Sequence, residues 1–254
     1  MRSNDREVRD GPRLLPVAPD GRTRPPRPVP PSVWELPDPG VLGPQELIGF
    51  GADLEPATLV DAYRRGIFPW PHTDTPLPWF SPDPRGVLTP DTLHRSRSLR
   101  RTLRRSGWTT TVDADLPAVV AACADRAEEG TWLTPAMQAA YRRLHELGWV
   151  HSVEVWDGPR LVGGIYGVQV GAVFTGESMF HRVPDASKVA LVDLLDRFTA
   201  AGGVLLDVQL VTPHLASLGA VEVPREVFLA DLDRLRTERV RMAVGRRPVT
   251  TLAG

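Results

Sequence analysis

One cysteine, one lysine and no long apolar run are what the 254-residue sequence is short of. A single thiol, Cys123, excludes an internal disulfide and suits a reducing compartment. No apolar stretch approaches the roughly 18 residues of a membrane-spanning helix. The opening MRSNDREVRD carries both signs of charge with no apolar segment behind it, so no export signal is expected and the chain reads as cytoplasmic. Net charge is −1, so a whole-molecule field cannot hold a polyanion, and nucleic-acid binding would need a local patch. Glycine-rich phosphate loops, a dinucleotide fingerprint and a C-x-x-C pair are all missing, and the six histidines show no metal-ligand spacing. Neither a metal nor a cofactor is expected.

What is present is ordinary globular composition, 42% hydrophobic and 24% charged, in a chain long enough for one large domain or two small ones. Ten of the 26 prolines fall in residues 1–40, which otherwise offer little to bury beyond Leu14, Leu15 and Trp34. That stretch reads as a disordered or loosely attached leader. A small domain is expected over 41–85. In it Asp53 is placed as an N-cap, Pro56 in the first helical turn and Gly66 as the stop. A catalytic domain is expected over 86–240, with a tail over 241–254.

Within 86–240 the patterning predicts helices over 94–106, 115–124, 135–148, 186–201 and 224–236. It predicts strands over 108–113, 150–156, 161–169, 172–180 and 204–210. Asp157-Gly158 and Val170-Gly171 mark hairpin turns, and Gly202-Gly203 ends the helix before the last strand. The class is α+β, a mostly antiparallel sheet flanked by helices.

Several clusters carry chemistry. HRSRSLRRTLRR (94–105) puts Leu99 and Leu103 on one stripe and fans Arg97, Arg100, Arg101, Arg104 and Arg105 around the rest, with no acid interleaved. It reads as either a solvated face or a phosphate-binding helix. Asp207 and Gln209 stand two apart on a strand, so period-2 geometry sends both to one face, where they could hold or deprotonate an amine. In GESMF (176–180) Phe180 stands where a hydrolase nucleophile elbow needs glycine, so Ser178 is not such a nucleophile. Glu177 and Met179 share a strand face. Lys188, the only lysine, opens a helix against the macrodipole, which argues for a role there. Its expected partner is Glu177 or a substrate oxygen. His214 reads as a turn residue. A sheet followed by a helix resembles acetyltransferase architecture, but RVPDAS (182–187) lacks the glycine turn that holds a CoA pyrophosphate.

Taken together, IGFGADL, DAYRRGIFPW, WFSPDPRGVL, HRSRSLRR, EEGTWLTP, YRRLHELG, HSVEVW, LVGGIYGV, GESMFHR, ASKVAL, DVQ and HLASLGA resemble the leucyl/phenylalanyl-tRNA–protein transferase family over about residues 47–236. The resemblance implies a small N-terminal domain followed by an acetyltransferase-like (GNAT-type) domain. It implies transfer of leucine or phenylalanine, with methionine as a further donor, from aminoacyl-tRNA to the N-terminal arginine or lysine of a protein. That tags the acceptor for degradation in the bacterial cytoplasm. No cofactor is implied, since the aminoacyl-tRNA is a substrate, and a monomer is expected. Asp207 and Gln209 match the pair that handles the attacking amine, and Glu177 matches an acid of the same cleft. Trp70 and Trp132 match the tryptophans that hold the terminal adenosine. Ile165, Phe174, Met179 and Leu194 are expected in the apolar amino-acid pocket. The arginine helix matches the cluster that grips the acceptor stem. Two rivals stand beside this reading: an acyl-CoA transferase and a non-catalytic RNA-binding module.

Overall fold

The computed structural model describes residues 18–43, 45–71, 76–125 and 131–253. In chain order these form β1 (Leu47–Phe50), α1 (Pro56–Arg64), β2 (Phe68–Pro69), β3 (Pro78–Phe80), β4 (Arg85–Leu88), α2 (Arg97–Arg105), β5 (Thr109–Val112), α3 (Leu116–Ala124) and α4 (Pro135–Glu146). There follow β6 (Val150–Asp157), β7 (Arg160–Val170), β8 (Val173–His181), α5 (Ala186–Ala200), β9 (Leu205–Gln209), α6 (Pro213–Ser217), β10 (Val221–Val223), α7 (Arg225–Leu235) and β11 (Arg247–Pro248). The expected helices and strands of the large domain all form. The short strands β1 to β4, β10 and β11, and the short α6, were not legible, because two to five residues carry no period.

A small sheet takes the order β1-β3-β2, and a mixed eight-stranded sheet takes the order β10-β4-β9-β8-β7-β6-β5-β11. Every neighbouring pair of the large sheet is antiparallel except β8 and β9, which α5 joins as a parallel crossover. α5 lies on this sheet through an almost wholly buried apolar surface that includes Val189, Leu191, Leu194 and Phe198. That burial holds the parallel strand in place, at about 25 cal/mol per Å² of apolar surface. Gly163 of β7 lets the helix come down, since a Cβ there would meet Ala186 Cβ at 2.6 Å.

Three expectations of local structure are corrected. The α1 cap is Glu55 with Pro56 after it. Asp53 instead accepts from the Glu55 backbone N–H at 3.0 Å and from Trp34 Nε1 at 2.9 Å. The proline-rich leader is not loosely attached from residue 18 on. Thr23 N–H donates to Met242 O, Trp149 Nε1 donates to Arg27 O at 2.8 Å, and Thr23 and Leu36 are buried. Residues 1–17 of the expected leader lie outside the described residues. The tail is also part of the body: β11 pairs with β5, Val249 and Leu252 are buried, and Arg247 binds Asp193 of α5 at 2.8 Å. These segments looked dispensable because their anchors are single side chains and backbone groups rather than apolar periods. Among the described residues no helix is long and apolar enough to cross a membrane.

Candidate active site

The one parallel pairing is short. It runs from Val173 opposite Leu205 to Thr175 opposite Asp207, after which β8 continues on β7 alone and β9 on β4. Two irregularities sit where the strands part. Tyr166 faces Ser178 and Gly167 faces Gly176, which leaves Glu177 as an extra residue in β8. Gly86 faces Gln209 and Val87 faces Asp207, which leaves Val208 extra in β9. Bulges of this kind re-aim side chains. Here they turn Glu177 and Gln209 into a cavity of about 420 Å³ between the strands. Gln209 has φ +65°, a left-handed conformation that costs a non-glycine residue on the order of 1–3 kcal/mol and is concentrated at functional sites.

The polar end of this cavity is tightly bonded. Tyr63 and Tyr141 each donate a hydroxyl to one oxygen of Glu177, both at 2.7 Å, and the two hydroxyls lie 3.1 Å apart. Tyr166 stacks edge-on against Tyr141 at 5.3 Å, so all three tyrosines of the chain converge below one acid. Gln209 Nε2 donates to Glu177 Oε1 at 3.2 Å. Burial pushes the Glu177 carboxyl up to about 7, against the tyrosine hydrogen bonds that favour its ionised form. Burial likewise pushes both tyrosine hydroxyls above their ordinary range, so they remain donors.

Asp207 does not share that face. It is fully buried and takes a bidentate ion pair from Arg85, at 2.8 Å and 2.7 Å, with Thr175 donating at 3.0 Å. Its Oδ1 also accepts the Gln209 backbone N–H at 2.9 Å. The Asp207 carboxylate therefore holds the strained Gln209 backbone and leaves the cavity to the Gln209 side chain. Arg85 lies between the rings of Phe68 and Phe228, 5.1 and 4.4 Å from their centroids, and donates to Gly66 O at 3.0 Å. Sequence reasoning missed Arg85, Tyr63 and Tyr141. The one available signal was that tyrosine occurs three times in the chain.

The rest of the cavity is apolar. Ile165 and Met179 line it with Leu191 and Leu206, and Phe68, Trp70 and Trp132 close another side. Trp70 is held edge-on by Phe80, 5.8 Å away. Two expected members are absent from the lining. Phe174 stacks on Phe198 of α5 at 5.9 Å, and Leu194, also on α5, is buried in the core.

Lys188 is also displaced from its expected partner. Its ammonium lies 3.0 Å from Asp185 Oδ1, one turn back, rather than at Glu177. Asp185 in turn accepts from Thr102 of α2 at 3.0 Å. That helix follows its pattern: Ser96 caps it, Leu99 and Leu103 are fully buried, and Arg97, Arg100, Arg101, Arg104 and Arg105 are all exposed.

Away from the cavity, Asp113, His145 and His151 each place one ligand-type atom within 4.8 Å of the others. Ring hydrogen bonds already occupy them. His151 Nδ1 lies 2.7 Å from Asp113 Oδ2, and His145 Nδ1 lies 2.9 Å from Val150 O. Burial raises the Asp113 carboxyl, but its interactions with His151, His145 and the Ser152 backbone N–H together outweigh that and leave it lowered. Beside them burial pushes Glu154 up to about 7, and the Ser152 and Thr111 hydroxyls bind it.

An apolar cavity ends in a buried acid and an amide on a strained turn, and the proteins this chain is similar to are enzymes of the aminoacyltransferase class. A family model described as leucyl/phenylalanyl-tRNA protein transferase matches residues 87–233, and one for the N-terminal domain of that transferase matches residues 52–83. The chain is 55% identical over 193 residues to the leucyl/phenylalanyl-tRNA–protein transferase of Chromohalobacter salexigens, covering 75% of each chain. It is 48% identical over 202 residues to that of Edwardsiella ictaluri, covering 80% of this chain and 84% of the relative. The chain belongs to the leucyl/phenylalanyl-tRNA–protein transferase family.

Proposed function

We propose that this enzyme moves leucine or phenylalanine from aminoacyl-tRNA to the N-terminal arginine or lysine of an acceptor protein, and that its large domain is of the acetyltransferase type. The observation that carries the reading is the cavity itself. Its apolar part suits an aliphatic or aromatic side chain, and its one polar end suits an amine. A pure polynucleotide binder has no use for a buried acid at the end of an apolar cavity. The parallel pair that splays beyond Thr175 and Asp207 supports the acetyltransferase comparison.

An aminoacyl ester is already activated, so alignment is the main task, and alignment alone can supply roughly 7–11 kcal/mol. Trp70 and Trp132 hold the terminal adenosine, each contributing on the order of 1–3 kcal/mol by stacking. The leucyl side chain sits against Ile165, Met179 and Leu191. The Gln209 side-chain carbonyl orients the acceptor's α-amine toward the ester carbonyl carbon. Attack forms the C–N bond and breaks the ester C–O bond. Glu177 takes the proton released by nitrogen and returns it to the departing ribose oxygen, which leaves as a hydroxyl. Asp207 acts through the Gln209 backbone. A carboxyl near 7 is matched to that proton transfer at neutral pH.

The test is incubation with leucyl-tRNA and a peptide beginning with arginine, read by mass. One added leucine is expected on that peptide and none on the same peptide with an acetylated N-terminus. Absence of any extended peptide contradicts the reading.

A further inference from the structure

We propose that the start of α5, with Ser187, Lys188, His181 and His214 around it, is a phosphate seat on the cavity rim. It takes the phosphate on the 5′ side of the terminal nucleotide. The inference rests on the proposed aminoacyl-tRNA reading and adds a site to it.

α5 runs fifteen residues, yet the side chain of its cap, Asp185, accepts from no backbone N–H of the first turn. The Asp185 carboxylate is turned to Thr102 and Lys188, at 3.0 Å each, so no side chain caps the first N–H groups of a full-length helix. Such a terminus attracts anions. A second observation points the same way. Ser187 lines the cavity and is 4% exposed, and its hydroxyl makes no hydrogen bond among the described residues. A hydroxyl that faces the cavity in this way can donate to an incoming phosphate oxygen.

Lys188 brings a cation to this rim, and two imidazoles flank it. His181 ends β8 opposite Gly163, the glycine on which Ala186 rests, so the ring stands beside the helix start. His214 faces the same cavity from α6. Burial lowers the proton affinity of His214, and Lys188 and His181 lower it further, which places all three within electrostatic reach. Asp185 balances Lys188 alone. The Thr102–Asp185 bond also ties this rim to α2, the helix that carries the exposed arginines.

Two non-hydrolysable donors test this: leucine joined through an amide to the 3′ position of adenosine, with and without a 5′-phosphate, titrated calorimetrically. The wild type is expected to bind the phosphorylated compound about tenfold more tightly, as one or two charge-assisted hydrogen bonds allow. In Ser187→Ala and in Lys188→Met that ratio is expected to fall toward one, with circular dichroism confirming the fold. Equal binding of both compounds by the wild type overturns the seat, and so does an unchanged ratio in both variants. If neither compound binds, the cavity reading falls with it, whereas equal binding leaves that reading standing.

Discussion

Glu177 and Gln209 reach the cavity because each strand carries one residue too many at that point. Period-2 reasoning could name the residues but not their directions. It put Asp207 and Gln209 on one face, whereas the extra Val208 and the left-handed Gln209 send Asp207 inward to Arg85, 122 positions earlier in the chain. Nothing local in DVQ marks that pairing. Glu177 was nameable from its stretch, but its two tyrosine partners come from α1 and α4. The raised carboxyl yields a prediction of definite sign. Transfer should increase as pH rises through about 7, where Glu177 ionises and can accept a proton. Stability should move the other way. The contribution of a raised carboxyl is complete below its unfolded range and is lost as pH rises through its folded value. Glu177→Gln should flatten the rate profile and narrow the fall in melting temperature between about pH 5 and about pH 8, a window that spans most of the interval between the unfolded and folded values. A rate profile unchanged in Glu177→Gln would remove Glu177 from the chemistry.

α2 shows how far an element can be read from its pattern alone. Leucines four apart gave the buried stripe, and both are fully buried. The arginines were left by default to solvent, and there they are. Because they are exposed and make no ion pair among the described residues, they are free to meet phosphates. Replacing Arg100, Arg101, Arg104 or Arg105 by glutamine should leave the melting temperature nearly unchanged. Each change should flatten the dependence of log binding constant on log salt for leucyl-tRNA by up to about one for every phosphate that the arginine no longer neutralises. A salt slope unchanged in the fourfold variant would leave α2 as a solvated face. Helix α5 carried less information in sequence. Its fifteen residues announced a helix, but almost every apolar residue on it is buried, so the pattern could not tell Leu191, which lines the cavity, from Leu194, which does not.

At the scale of the whole molecule, the helices and long strands followed their patterns, and the class was legible from their order. The ends of the chain were not. Residues 18–43 and 241–253 looked like appendages, yet they clasp one another through Thr23 and Met242 and pack on the body through Trp149 and Leu252. What gathers the site is the single parallel crossover, which opens the sheet between β8 and β9 and lets α1, α4 and α5 contribute to one cleft. The central claim is that this cleft performs the transfer with Gln209 orienting the amine. Single-turnover transfer from saturating leucyl-tRNA to an arginine-led peptide by Gln209→Ala tests it most directly, with leucyl-tRNA binding measured alongside. The account predicts transfer slowed by about a hundredfold or more, the scale on which misplacing a reacting group acts, while leucyl-tRNA binding stays near the wild-type level. Wild-type turnover in Gln209→Ala, or a loss of binding as large as the loss of transfer, would contradict it.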